Sequence, residues 1–160
     1  MATISTTEPA ERLALALTRA GLQRMTARLL AAFLFTDQPG LTMGDLADDL
    51  GVSPGSVSAG IKTLTSVGLI EQIPAPGSRR DHYRMRDDAW PTLFSTQNQV
   101  IRVMQEAADD GIAASGPNSV ASRRLEDMRD FYAFMVRELP ALVDRWQQHE
   151  SGKRSPTSAG

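Results

Sequence analysis

The chain has no cysteine among its 160 residues, which excludes disulfides, thiolate metal sites and cysteine-based redox sensing. It has two histidines, too few for a convincing metal cluster, so we expect neither a metal nor a cofactor. No apolar run approaches the roughly 20 residues that a membrane-spanning helix needs. A signal peptide is not expected either, because Glu8 and Glu11 precede the first apolar residues where a basic segment would stand. The sequence therefore indicates a cytoplasmic protein without a membrane partner.

An excess of positive charge is also lacking. The formal net charge of -2 argues against a protein that binds polyanions without sequence preference. It does not exclude a sequence-specific DNA-binding protein, for which the local field at the contact face matters. The hydrophobic content of 41% is sufficient for a core. The length suits one domain, alone or with an additional oligomerisation element.

The N-terminal part of the chain predicts two helices within residues 8–37, after a polar and flexible stretch at residues 1–7. The first helix, ending near residue 20, is rich in Ala and Leu and has Pro9 in its first turn, where proline is tolerated. The second helix starts at Leu22 and has apolar residues at helical spacing. It ends before Pro39 and the glycine that follows.

Residues 42–68 carry the signals of two short helices joined by a tight turn. Thr42 and Asp45 have the spacing of a capping box at the start of the first helix. Gly51 ends that helix at a place where a left-handed residue is required. Ser53 then supplies an N-cap for the second helix. This order is typical of a helix-turn-helix, whose second helix enters the major groove of DNA.

Two short segments after these helices, residues 69–73 and 81–86, have the pattern of strands. The connection between them is rich in Pro and Gly and predicts a loop. A hairpin that directly follows a helix-turn-helix is a wing. The predicted fold class is therefore mainly α with a small β-hairpin wing, in which a winged helix-turn-helix region at residues 38–87 is flanked by dimerisation helices.

The second helix of the pair has an inner stripe of Val57, Ile61 and Leu64. Its outer face and N-terminal end carry small or polar side chains, which suit close approach to phosphates and base edges. The predicted DNA contacts of this recognition helix are Ser53, Gly55, Ser56, Ser58, Ala59 and Lys62. Gly60 departs from the pattern, since an apolar residue is expected there, and is consistent with close approach of another helix. The alternative is a small helical hairpin with a Ser-rich surface.

Positive charge is concentrated between residues 53 and 86, where five basic and two acidic residues leave a local balance of +3. Arginine in the wing loop could reach a minor groove or a phosphate, and the predicted wing contacts are Ser78, Arg79 and Arg80. Arg24 and Arg28, one helical turn apart, are candidates for further phosphate contacts. The alternatives are an ordinary solvated loop for the wing and a solvated face or a salt bridge for the two helical arginines.

The pattern L-T-x-x-D-L-A-x-x-L-x-V-S-x-G-S-V-S, followed by G-L-I and P-G-S-R-R-x-x-Y, resembles the winged-helix regulators of the MarR superfamily, closest to the GbsR-like branch. The resemblance is strongest over residues 41–86 and extends more loosely over the flanking helices. It implies a dimeric transcriptional regulator, commonly a repressor, that binds a pseudo-palindromic operator in double-stranded DNA. It maps Ser53, Ser56, Ser58 and Lys62 to the recognition helix and Ser78, Arg79 and Arg80 to the wing. The D-x-R-D wing that is common in the family is absent, and PGSRRDHY stands in its place.

Regulators of that family often release DNA when a small molecule binds between the winged domain and the dimerisation helices. The resemblance therefore implies a small-molecule effector. Apolar candidates for its pocket are Phe33, Trp90 and Phe94. The main alternative function, from another class, is a winged-helix module that binds protein rather than DNA.

Residues 88–150 predict two long helices, the first with Pro91 in its first turn and the second beginning at Ser119. Large apolar residues repeat along the second helix at alternating spacings of three and four, which predicts a dimer interface. They are Leu125, Met128, Tyr132, Met135, Leu139, Leu142 and Trp146. Intrachain packing on the preceding helix is the alternative. Pro140 is expected to kink or break this helix, and residues 151–160 predict a disordered tail.

The segment from Gly51 to Gly55 matches G-x-S-x-G, the nucleophile motif of some hydrolases. That motif needs a strand before the serine and an acid and a histidine downstream. Here a helix is predicted before Ser53, and the two histidines lie in the hairpin and near the C-terminal end. We therefore expect no catalytic residues and no enzyme activity.

Overall fold

The computed structural model describes residues 7–154, apart from the side chains of residues 96–98 and 154. Within them the chain is mainly helical, with one small antiparallel sheet, so the predicted fold class is confirmed. The chain forms two compact units, one up to Ala89 and one from Trp90 onward. The elements are α1 (Glu8–Arg19), α2 (Arg24–Phe35), β1 (Leu41–Thr42), α3 (Met43–Leu50), α4 (Pro54–Ser66), β2 (Ile70–Ile73), β3 (His82–Met85), α5 (Ala89–Ala114) and α6 (Val120–Arg154).

The first two helices pack through alanine. Ala10 and Ala14 of α1 form a buried cluster with Ala31 of α2, and Leu13 packs against its edge. Alanine side chains add little bulk, so the two helix backbones can approach closely while their apolar surface is removed from water. Most of the remaining α2 side chains are buried as well, which makes α2 the central helix of the first unit.

The caps that the sequence predicts around α3 and α4 are confirmed. The Thr42 hydroxyl accepts the backbone N–H of Asp45 at 3.1 Å, and the Asp45 carboxylate accepts the backbone N–H of Thr42 at 2.8 Å. Gly51 ends α3 in the left-handed region with φ 64°. Ser53 caps α4, and Pro54 is its first residue. Each cap satisfies backbone groups that a short helix would otherwise leave unpaired.

Helix α4 is held against α2 by an inner stripe and one glycine. Val57, Ile61 and Leu64 are each at most 4% exposed. A Cβ atom added to Gly60 would overlap Cδ1 of Leu29 and lie 3.7 Å from the Cα of Thr26. The structure thus confirms that glycine at this position permits close approach of another helix, and it identifies that helix as α2.

The sheet has the order β1–β3–β2, with β3 antiparallel to both neighbours. Strands β2 and β3 form the predicted wing hairpin. Its loop contains a tight turn, closed by the Ser78 N–H donating to the Ala75 carbonyl, with Gly77 at φ 83°. Strand β1 was not expected, because two residues are too short to show any alternation of apolar and polar positions.

The second unit consists of two long helices, α5 from Trp90 onward and α6. They meet closely at Gly111, where an added Cβ would lie 2.7 Å from Cδ1 of Leu125. Helix α6 continues through Pro140, so of the two predicted effects the break is wrong and the kink stays a prediction. Proline removes one N–H donor from the helix without ending it.

The predicted termini are tested only in part. Helix α6 reaches Arg154, so residues 151–154 are helical rather than part of a disordered tail. The physical reason is that the helix needs no apolar partner for one more turn once its preceding turns are formed. The predicted flexible stretch at residues 1–6 and the tail from residue 155 lie outside the described residues.

Candidate nucleic-acid interface

The outer surface of α4 and its N-cap carry every predicted contact of the recognition helix. The side chains or, for Gly55, the backbone are exposed at all six positions: Ser53, Gly55, Ser56, Ser58, Ala59 and Lys62. At the N-terminal end the hydroxyls of Ser53 and Ser56 lie 3.0 Å apart, and the Ser53 hydroxyl accepts the backbone N–H of Ser56 at 3.4 Å. The positive end of the helix dipole is therefore exposed at a site that small side chains leave open to an anion.

Ser78 shapes the wing loop. Its hydroxyl accepts the backbone N–H of Arg80 at 3.1 Å and lies 3.2 Å from Nε2 of His82. This hydroxyl is therefore engaged in holding the loop, a structural role that the sequence did not indicate. Its side chain remains exposed, so a contact of Ser78 with DNA stays a prediction.

The two arginines of the wing differ in their surroundings. A Cβ added to Gly44 would lie 3.7 Å from Nη1 of Arg80, so this guanidinium lies against the first turn of α3. The Thr42 side chain and backbone lower the pKa of the Asp45 carboxyl by hydrogen bonding, and the charges of His82 and Arg80 lower it further. Within residues 7–154, Arg79 forms no ion pair or side-chain hydrogen bond. Within the described residues, Arg79 therefore lacks an acidic partner, whereas Arg80 has Asp45 as a neighbour.

The arginines in and directly after strand β3 are neutralised by acidic neighbours. Arg84 pairs with Glu71 at 2.9 Å, directly across the β2–β3 ladder. Arg86 pairs with Glu71 at 3.5 Å and with Asp88 at 2.9 Å. The local positive field therefore depends on Lys62, Arg79 and Arg80, because opposite charges at these distances largely cancel beyond their own neighbourhood.

The two arginines of α2 have different roles. Nη2 of Arg28 donates to the backbone carbonyl of Leu50 at 3.1 Å, which satisfies a carbonyl at the C-terminal end of α3. Arg28 is half-buried, whereas Arg24 is exposed at the first residue of α2. Both line a groove of about 550 Å³ that also contains Glu8 and Glu11. Phosphate contacts by Arg24 and Arg28 stay predictions.

The residues predicted for the dimer interface are unevenly exposed. Leu139 is buried, and Leu125, Met128, Tyr132 and Met135 are half-buried, whereas Leu142 and Trp146 are about half exposed. Further exposed apolar side chains of the second unit are Trp90, Phe94, Val100, Val103, Val120, Phe131 and Phe134. Of the predicted pocket residues, Phe33 is buried in the first unit, while Trp90 and Phe94 are exposed.

The segment that matches the hydrolase motif follows a helix, α3, rather than a strand, and Ser53 serves as an N-cap. Across residues 7–154 no group of three or more metal-ligating side chains occurs. No helix within the same range is long and apolar enough to cross a membrane.

Comparison with known proteins assigns the chain to a family. Residues 88–149 match the family described as MmpR5-like MarR family transcriptional regulator, and residues 15–81 match the MarR family. The HTH-type transcriptional regulator MmpR5 of Mycobacterium tuberculosis (strain ATCC 25618 / H37Rv) is 31% identical over 128 residues, which cover 79% of this chain and 78% of that protein. The chain belongs to the MarR family.

A solved structure agrees with this assignment. The crystal structure of a transcriptional regulator aligns with a TM-score of 0.80 and 29% identity over 87% of this chain and 95% of that chain. The present chain is therefore a DNA-binding transcriptional regulator of the MarR family. The relatives found are regulators rather than enzymes. The match of the C-terminal helices is to the MmpR5-like group, so the GbsR-like branch stays a prediction from the sequence.

Proposed function

We propose that this MarR-family regulator binds a pseudo-palindromic operator as a homodimer, with α4 in the major groove and the wing over the adjacent minor groove. The observation that carries the proposal is the exposed outer face of α4, small and polar with Lys62 as its cation, next to a wing whose Arg79 has no acidic partner within the described residues. Phosphates would bind the α4 N-terminus, Lys62 and the wing arginines. Ser56 and Ser58 would contact base edges.

A single copy of this surface is modest, because serine hydroxyls give little base discrimination and one lysine gives one strong phosphate contact. A dimer doubles the contacts and fixes the spacing of two recognition helices at about 34 Å, one turn of DNA. The exposed apolar side chains of α5 and α6 support dimerisation, since a second copy would remove them from water.

The family resemblance extends the proposal to a repressor in the cytoplasm that releases its operator when a small-molecule effector binds. Trp90 and Phe94, both exposed, are the candidates for effector contacts that remain after Phe33 is found in the core. The branch of the family, GbsR-like by sequence pattern, is part of the same proposal.

DNA binding is tested by fluorescence anisotropy with duplexes of about 30 bp, long enough for two half-sites one turn apart. The duplexes should tile the region upstream of the gene, with scrambled duplexes of equal composition as controls. We expect one upstream duplex to bind about a thousandfold more tightly than its scrambled control, the lower end for specific regulators. Equal affinity for all duplexes would contradict the proposal and favour a winged-helix module that binds protein.

Dimerisation is tested by light scattering on the free protein. We expect a mass of twice the 17.4 kDa chain, and we expect Leu142→Glu to lower it to the chain mass because a carboxylate would be buried in the interface. Leu34→Glu is the matched control, since Leu34 is an exposed leucine of the first unit. A wild-type protein that has the chain mass at micromolar concentration would contradict the dimer.

A further inference from the structure

A groove of about 410 Å³ lies between α4, the start of α3 and the wing strands. Met43 and Ile61 form its apolar part. Its polar lining consists of Ser58, Lys62, Thr65, Ser66, Gln72 and Tyr83. Within the described residues, its lining includes the cation Lys62 and no acidic side chain, whereas the groove between α1 and α2 combines the acidic Glu8 and Glu11 with three arginines. The helix–wing groove, as we call it, can therefore receive an anion without a carboxylate in its lining.

Three hydroxyls in the helix–wing groove have no protein partner. Within residues 7–154, no hydrogen bond engages the side chain of Ser58, Thr65 or Tyr83. Tyr83 is the most telling of them, because it is only 9% exposed, and a buried hydroxyl normally has a partner. A tyrosine hydroxyl is protonated at neutral pH and can donate. Burial raises the pKa of Tyr83, and the charge of Asp81 raises it further, so the surroundings do not oppose this state.

The position of the groove indicates what fills it. The major and minor grooves of DNA are separated by one sugar–phosphate strand. A protein with its helix in the major groove and its wing over the adjacent minor groove must straddle that strand. The concave surface between helix and wing is then the place through which the strand passes, and the helix–wing groove is that surface in this chain.

We propose that the helix–wing groove binds a phosphodiester of the DNA backbone through Tyr83, Thr65 and Lys62. This inference rests on the proposed function and adds two contacts, those of Tyr83 and Thr65, to the predicted interface. Each hydroxyl donates to a phosphate oxygen, and the Lys62 ammonium balances the charge. The Gln72 amide already donates to Asp81 at 2.8 Å, so it is assigned no direct contact.

The test uses the full chain and compares hydroxyl deletions with matched controls. Tyr83→Phe and Thr65→Ala each remove one hydroxyl, and we expect each to lower the affinity for specific and scrambled duplexes alike by about 3- to 10-fold. Thr63→Ala is the matched control. Thr63 is an exposed threonine of the same helix, but its hydroxyl donates to the Ala59 carbonyl, so we expect wild-type affinity. Because Thr65 is exposed, Thr65→Ala keeps the test valid should Tyr83→Phe affect folding.

A second arm locates the phosphate. Neutral methylphosphonates are placed one at a time along the operator, and each duplex is titrated with wild type and Tyr83→Phe. We expect one position per half-site at which the loss of affinity caused by the methylphosphonate is smaller for Tyr83→Phe than for wild type, because the variant already lacks the hydroxyl that binds there.

The outcomes separate this inference from the proposed function. Wild-type affinity of both Tyr83→Phe and Thr65→Ala, with weaker binding by Arg79→Ala, would overturn the groove inference and leave the proposed function standing. The inference would also be overturned if, at every methylphosphonate position, wild type and Tyr83→Phe lost the same affinity, since the hydroxyl would then bind no phosphate. If wild type itself bound no duplex better than scrambled DNA, the proposed function would fail first.

Discussion

Gly60→Ala should destabilise the first unit by about 1 to 3 kcal/mol, the usual cost of overpacking a core. The new Cβ would overlap Cδ1 of Leu29, which is 0% exposed and so cannot move aside into solvent. The sign of the change in unfolding free energy is informative, because helix propensity alone predicts a gain of about 1 kcal/mol in stability for alanine over glycine. Packing against α2 therefore decides the outcome, and urea denaturation of the variant measures it.

The cause is isolated by a double-mutant cycle with Leu29→Ala. Removal of the leucine side chain alone should cost about 2 to 5 kcal/mol, because it leaves a cavity. In that background Gly60→Ala should cost nothing or stabilise, since the overlapping atom is absent and the new methyl group fills part of the cavity. Equal costs of Gly60→Ala in both backgrounds would show that the proximity of Leu29 is not the reason for glycine at this position.

A matched control is available on the same helix. Gly55 is exposed, and a Cβ there would meet nothing closer than the Ser53 hydroxyl at 4.0 Å. We expect the free energy of unfolding of Gly55→Ala to equal or slightly exceed that of wild type. A loss of stability as large as that of Gly60→Ala would indicate a general effect of helix substitution rather than a specific close approach.

Gly51 and Gly60 show which features of this fold can be predicted from the sequence. Caps depend on residues three or four positions apart, so Thr42, Asp45 and Gly51 predict the start and end of α3 correctly. The periodicity of the apolar residues likewise predicts the inner face of α4. That Gly60 permits close approach follows from the same pattern, whereas its partner Leu29 does not, because the crossing point of two helices depends on the fold.

Interactions between distant residues account for most of the differences at the site. Arg84 pairs with Glu71 thirteen positions away because the register of the hairpin places them opposite each other. Arg28 reaches the Leu50 carbonyl across twenty-two positions. The sequence shows that these arginines are cations, and only the fold reveals that both are engaged by other groups of the protein.

Tyr83 illustrates a signal that was present but had no interpretation. It belongs to the P-G-S-R-R-x-x-Y pattern, and its alternation in the wing strand places it on the inner side. From the sequence it reads as one more core aromatic residue. Within the described chain, the Tyr83 hydroxyl has no protein partner although the residue is buried. The sequence does not reveal this, because the surroundings of the hydroxyl are formed by three separate segments that meet at the helix–wing groove.

Arg79→Ala should weaken DNA binding more than Arg80→Ala. We expect about a tenfold loss of affinity for the operator, equivalent to about 1.4 kcal/mol, because one strong interaction with the DNA disappears from each wing. Arg80 already lies against Gly44 and interacts with the Asp45 carboxylate, so part of its charge is compensated before DNA arrives. Its replacement should therefore cost less than that of Arg79.

The salt dependence distinguishes a phosphate-binding residue from one with a structural effect. Binding is measured between about 50 and 200 mM salt. The negative slope of log affinity against log salt should become shallower by about 0.9 for each phosphate that the variant no longer neutralises. Arg79→Lys keeps the charge, so we expect its slope to match wild type. Arg80→Ala should show a smaller change in slope and a rise in the pKa of Asp45, since one of the charges that lower this pKa is absent.

The reverse order would assign the two arginines differently. If Arg80→Ala reduced affinity and slope more than Arg79→Ala, the guanidinium beside the first turn of α3 would be the principal phosphate ligand, and the wing tip would contribute little. If neither variant changed the slope, the wing would have no role in DNA binding, and α4 would carry recognition alone. The expected order follows from one structural difference: Arg80 has an acidic neighbour in Asp45, and Arg79 has no ion-pair partner within the described residues.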